Sequence, residues 1–92
     1  MNAVSVRIPA ALHPFTGGES ELTVEAASVG EALSAVGRRH EALLPRILTR
    51  GGRLRPYVNV FLDDQDIRSL DGLDTPLAGH RTLIVMPSVA GG

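Results

Sequence analysis

Val4, Val6 and Ile8 alternate with Ser5 and Arg7. Alternation puts the apolar side chains on one side of an extended chain, and Pro9 then interrupts it, so a half-buried strand is predicted over residues 3–9. Leu22 and Val24 alternate with Glu21, Thr23 and Glu25 in the same way, predicting a second strand over residues 20–25. The connecting loop, residues 9–19, holds Pro14, Gly17 and Gly18 and is longer than a common hairpin turn. The period then lengthens. Val29, Ala32, Leu33 and Val36 lie at i, i+3, i+4 and i+7, which is one face of an amphipathic helix. Ser28 and Glu31 have the spacing of a capping box, in which hydroxyl and carboxylate satisfy free backbone N–H groups at the helix start. Arg38, Arg39 and His40 fall near its end, where cations suit the negative pole of the helix dipole.

Leu43, Leu44, Ile47 and Leu48 form a second apolar cluster. Pro45 disfavours helix at Leu44 but can itself begin a turn, so a short helix or 3₁₀ piece is predicted over residues 45–49. Residues 50–56 read as a basic, flexible loop. Tyr57 to Leu62 is a strand with Val58, Val60 and Leu62 on one face and Tyr57, Asn59 and Phe61 on the other. Asp63 and Asp64 turn the chain, Gln65 to Arg68 is a short strand with Ile67 inward, residues 69–80 are irregular, and Thr82 to Pro87 is the last strand.

This order predicts an α+β, β-grasp (ubiquitin-like) architecture: a mixed sheet of four to five strands covered on one face by one main helix. Residues 1–87 form the domain and residues 88–92 a flexible tail. If Leu83 and Val85 face the helix, then Ile84 and Met86 face outward beside Phe61. Those three would form an exposed apolar patch suited to partner docking. The opposite strand phase would turn them inward.

Ninety-two residues make one domain with one core, without walls for a deep enzyme cleft. A net charge of −1 points to neither nucleic acid nor an anionic membrane. All nine basic residues are arginine, so no side-chain amine can accept an acyl group. With no cysteine there is no thiolate nucleophile or ligand. Arg7, Pro9 and Pro14 interrupt the N-terminal apolar residues, so neither a signal peptide nor a membrane span is expected, and the cytoplasm is the default location. His13, His40 and His80 lack metal-ligand spacing. Counted from Asp63, the run Asp63-Asp64-Gln65-Asp66 puts Arg68 where a calcium loop needs Gly and Asp74 where it needs Glu, so no metal site is expected. Gly51-Gly52 lacks the Lys-Ser/Thr of a phosphate loop, and Arg53 and Arg55 read as a solvated loop rather than a site for an acidic partner.

Elimination leaves the end of the chain, Ser88-Val89-Ala90-Gly91-Gly92. Gly91 and Gly92 carry no β-carbon, so this end can enter a channel too narrow for other residues; the alternative is an end that merely frays, as most termini do. Fully extended, five residues reach about 17 Å. The terminal carboxylate of Gly92 is the candidate reacting group.

The chain resembles the ubiquitin-like sulfur carrier proteins of the ThiS/MoaD family. The resemblance rests on Val4-Ser5-Val6-Arg7-Ile8-Pro9, Thr16-Gly17-Gly18, Tyr57-Val58-Asn59-Val60-Phe61, Asp64-Gln65-Asp66-Ile67-Arg68 and the ending Met86-Pro87-Ser88-Val89-Ala90-Gly91-Gly92. Met86, where MoaD-type members tend to have an aromatic residue, favours the CysO-like branch. The resemblance implies that an E1-like adenylating and sulfurtransferase enzyme activates Gly92 with ATP–Mg²⁺, and that the acyl adenylate becomes a thiocarboxylate. It also implies Gly91 as the clearance residue and Ser88, Val89 and Ala90 as the threaded segment. In that branch the sulfur passes to a pyridoxal-phosphate cysteine synthase, and a metallopeptidase releases cysteine. ATP, Mg²⁺ and pyridoxal phosphate belong to those partners; this chain binds no cofactor and is a co-substrate, not an enzyme. Alternatives are a MoaD-type small subunit of molybdopterin synthase, a ubiquitin-like protein modifier that cannot chain through its own lysines, and a β-grasp module that binds without covalent chemistry.

Overall fold

The alternating segments assemble into one mixed sheet. The computed structural model describes residues 2–79 and 81–87, so the predicted tail, Ser88 to Gly92, and His80 lie outside the described residues. The strands are β1 (Asn2–Arg7), β2 (Glu21–Ala26), β3 (Val58–Leu62), β4 (Gln65–Asp66) and β5 (Arg81–Pro87). Two helices, α1 (Val29–Arg39) and α2 (Leu44–Ile47), fall between β2 and β3. The strand order is β2-β1-β5-β3-β4, with β1 and β5 parallel and the other neighbours antiparallel. Parallel neighbours cannot be joined by a tight turn, and most of the chain forms the crossover between them. This is the β-grasp arrangement expected from the element order.

Burial follows the predicted phase. Val4 and Val6 of β1, Leu22 and Val24 of β2, Val58, Val60 and Leu62 of β3, and Leu83 and Val85 of β5 are buried. They join Val29, Ala32, Leu33 and Val36 of α1 in one core. Leu43, Ile47 and Leu48 extend that core, so the second apolar cluster closes one end of it. The hydroxyl of Ser28 accepts from the Glu31 N–H at 3.2 Å. The Glu31 carboxylate reaches back to the Ala27 N–H at 3.1 Å, one residue earlier than a standard capping box.

Four local expectations change. The first loop contains a 3₁₀ helix, Ala10–Phe15, that sets Leu12 and Phe15 against the core. Their spacing of three is the 3₁₀ period, a signal that two prolines obscured. The short helix begins at Leu44 rather than at residue 45, with Pro45 in its first turn, where a missing N–H costs nothing. The fourth strand stops at Asp66, whose side chain accepts from the Arg68 N–H at 2.9 Å and starts a 3₁₀ turn, Ile67–Ser69; Ile67 is still buried. The basic segment is not a loose loop. Thr49 N–H donates to the Arg53 carbonyl at 2.7 Å, Arg55 N–H to the Ile47 carbonyl at 3.0 Å, and Leu48 bridges Leu54.

Candidate functional site

β5 lies in the middle of the sheet, held by β1 on one side and β3 on the other, and its last paired residue, Pro87, stands opposite Val58. The residue before Ser88 therefore belongs to a strand that is paired on both sides. Side chains alternate along β5. Leu83 and Val85 enter the core, while Ile84 is half-buried and Met86 is 47% exposed on the other face. Ile84 pairs directly with Phe61, and Met86 with Asn59. The predicted patch residues Phe61, Ile84 and Met86 thus share the open face of the sheet at its β3–β5 seam. Arg7 and Asp66, the strand partners of Ile84 and Phe61, border the apolar pair on either side. An apolar centre with a polar rim is the composition of a contact surface.

A second group surrounds the start of β3. Arg46, on α2, places its guanidinium 4.5 Å from the centre of the Phe15 ring. Both line a cleft with Leu12, Tyr57, Val58 and Val85, next to the Val58–Pro87 pair. Arg68 spans from the other side. Its guanidinium donates to the carbonyl of Val58 at 2.7 Å, the carbonyl of Arg55 at 3.1 Å and the side-chain oxygen of Asn59 at 2.7 Å. Arg55 in turn donates from Nε to the Pro45 carbonyl at 2.6 Å. Sequence reasoning missed Arg46 and Arg68 because their neighbours come from separate segments.

The other polar candidates have structural tasks. His13 bonds the Ile8 carbonyl at 2.9 Å, and His40 meets the Glu19 carboxylate at 2.9 Å. Asp63, in a turn with φ 58°, accepts from Arg81 at 2.7 Å and from the Thr82 N–H at 3.3 Å, closing the connection beside β5. Among the described residues, no group of three or more His, Cys, Asp or Glu side chains could hold a metal ion, and no helix is long and apolar enough to cross a membrane.

The family model of the ThiS family matches residues 6–92. The sulfur carrier protein CysO of Mycobacterium tuberculosis is 31% identical over 91 residues, covering 97% of this chain and 98% of that protein. Small archaeal modifier protein 3 of Haloferax volcanii is 33% identical over 66 residues, covering 72% of this chain and 71% of its own. A chain in the crystal structure of the Amycolatopsis orientalis BexX/CysO complex superposes with a TM-score of 0.89 at 37% identity, covering 98% of this chain and all of that one.

Proposed function

The chain belongs to the ThiS family, and from that premise we propose that it is a sulfur carrier whose Gly92 carboxylate is converted to a thiocarboxylate. The observation that carries this reading is the match to CysO along nearly the whole of both chains, on a family match that runs through Gly92 itself. The central, doubly paired position of β5 supports it by giving the tail a rigid base.

The chemistry explains the need for a partner. A carboxylate is a poor electrophile because its negative charge repels nucleophiles and oxide is a poor leaving group. On an E1-like enzyme, a Gly92 oxygen attacks the α-phosphorus of ATP and pyrophosphate departs. A sulfur nucleophile then attacks the acyl carbon and AMP departs. With hydrosulfide as that nucleophile no other bond has to break, and Gly92 carries a thiocarboxylate, a soft nucleophile tethered to a protein. The acceptor is a biosynthetic enzyme making cysteine or another sulfur-containing metabolite, with a pyridoxal-phosphate cysteine synthase and a metallopeptidase as the partners of the CysO-like route. ATP, Mg²⁺ and pyridoxal phosphate stay with those enzymes. This chain is their recycled co-substrate and works in the cytoplasm. Phe61, Ile84 and Met86 form the docking patch, with Ser88, Val89 and Ala90 threading the channel and Gly91 clearing its narrowest point.

The deciding experiment incubates the protein with ATP–Mg²⁺, its E1-like enzyme and a sulfur donor, and reads the intact mass. A gain equal to one oxygen-to-sulfur exchange is expected. An unchanged mass, with an enzyme shown active on another carrier, sinks the proposal. The similarity to a small archaeal modifier protein favours a second reading, attachment of Gly92 to lysines of other proteins. Finding Gly92 in isopeptide linkage in cell extract would establish it.

A further inference from the structure

Two arginines flank Val58, the strand partner of Pro87, and a third, Arg55, lies next to them. Pro87 pairs with Val58, and the carbonyl of Val58 accepts from Arg68. The same guanidinium also holds the carbonyl of Arg55, while Arg46 lines the cleft floored by Val58 and Val85. Between Glu41 and Asp63 the sequence contains four arginines and no acidic residue, in a chain whose net charge is −1. The ion pairs among the described residues are Arg7 with Glu21, His40 with Glu19 and Arg81 with Asp63. None of them involves Arg46, Arg55 or Arg68. The nearest acids are placed otherwise: Asp66 accepts from the backbone of Arg68, and Glu41 shares a surface depression with Arg50 and Arg55.

Two of the three arginines of this collar also serve the fold, since Arg55 and Arg68 hold backbone carbonyls. Arg46 is exposed, with its guanidinium over the Phe15 ring. The collar is also pre-organised. Arg55 and Arg68 are held by hydrogen bonds to backbone carbonyls and Arg46 by the Phe15 ring, so little side-chain entropy is left to lose on contact. Arg68 has three donors engaged within the protein and so offers a carboxylate mainly its fixed charge, while Arg46 and the terminal nitrogens of Arg55 offer N–H donors as well.

We propose that Arg46, Arg55 and Arg68 dock against acidic side chains at the mouth of the channel through which the adenylating enzyme admits the tail. The inference rests on the sulfur carrier reading for the identity of that enzyme. Five extended residues span about 17 Å, so an enzyme whose centre reaches Gly92 must bring its channel mouth up to the end of β5. The collar is the surface it meets there. Opposite charges on the two rims raise the encounter rate and fix the orientation in which the tail enters. The cleft beside Phe15 gives the same contact an apolar component next to the charge.

The test measures Kd for the full chain and its E1-like adenylating enzyme, alongside thiocarboxylate formation. The variants are Arg46→Glu at its exposed position and the double variant Arg46→Glu/Arg55→Glu. The control is Arg38→Glu/Arg39→Glu, which changes the net charge equally. Arg38 and Arg39 lie on α1 and line a cleft with Ala3, Thr23 and Glu25, separate from the one that Arg46 lines. Circular dichroism checks that each variant is folded. Arg46→Glu alone is expected to raise Kd about tenfold at about 50 mM salt and less at about 500 mM, where surface charges are screened. The control is expected to stay within about twofold of the parent. An unchanged Kd for Arg46→Glu overturns the proposal. A lowered Kd also overturns it, because it would mean that the collar holds this chain's own Gly92 carboxylate and releases it on charge reversal. If the parent binds without gaining sulfur, the carrier reading fails while the Kd series still decides the collar. If the parent does not bind at all, both fail.

Discussion

Ile84 of β5 stands directly opposite Phe61 of β3, and both turn away from the helix-covered core. Their strand neighbours Leu83 and Leu62 form the adjacent pair and are buried on the other face. One strand therefore does two things at once, anchoring the domain with alternate residues and presenting a surface with the others. Each face can be altered separately.

Met86→Glu tests the outer face. The side chain is 47% exposed, so stability should change by no more than about 0.5 kcal/mol. A charge in the proposed apolar patch should nevertheless raise the KM of the adenylating enzyme for this protein about tenfold, with kcat little affected. Steady-state kinetics beside a urea titration checks both halves. An unchanged KM removes Met86 from the docking surface.

Leu83→Ala tests the inner face. Leu83 is fully buried in the central strand, and truncation there should cost about 2–5 kcal/mol through lost transfer energy and the cavity left behind. Chemical denaturation gives the number. Because β5 carries the tail, this variant should also lose activity at temperatures where it begins to unfold, and regain it on cooling.

Ser28→Ala isolates the cap of α1. The hydroxyl that accepts from the Glu31 N–H is removed, and stability should fall by about 1 kcal/mol. Sulfur loading at low temperature should be unaffected, since α1 covers the face opposite the patch. A loss of loading without a loss of stability would show that the helix contributes directly to recognition.

Gly91→Val should leave the melting temperature unchanged within error and abolish thiocarboxylate formation, because a β-branched side chain would not enter the narrow channel proposed for the adenylating enzyme. Mass spectrometry after incubation with ATP–Mg²⁺, enzyme and sulfur donor provides the readout. Full loading of this variant would refute the clearance role of Gly91.

Gly37→Ala sets two effects against each other. Alanine favours helix by about 1 kcal/mol over glycine. The added β-carbon, however, would lie 2.7 Å from Cδ2 and 3.0 Å from Cβ of Leu44, where α2 packs on α1. Overpacking commonly costs about 1–3 kcal/mol, so net destabilisation is expected on denaturation. A more stable variant would mean that Leu44 moves aside freely.

Much of this protein is readable in one dimension, for a physical reason. Sheet and helix periodicities are local, so the buried residues of β1, β2, β3, β5 and α1 were identifiable from alternation and i, i+3, i+4 spacing alone. The capping pair Ser28 and Glu31 was equally local, although the carboxylate reaches one residue further back than the pattern implies. The apolar patch needed one more fact. Whether Ile84 or Leu83 faces the core depends on which side of β5 meets α1, and a period of two has two phases. Packing selected the phase that buries Leu83 and Val85.

The arginine collar was beyond the reach of sequence because its parts are local to nothing. Arg46 reads as the polar face of a short helix, Arg55 as loop and Arg68 as the end of a strand. Only the closing of the segment after Thr49, the capping of Arg68 by Asp66 and the docking of Phe15 beneath Arg46 bring them to Val58. The sequence by itself determined the elements, the core residues and the candidate chemistry of the Gly-Gly end, because each rests on neighbours within a few positions. Tertiary structure decided the strand phase, the sheet order and the meeting of distant charges at the end of β5, because those depend on which apolar faces pack together across the chain.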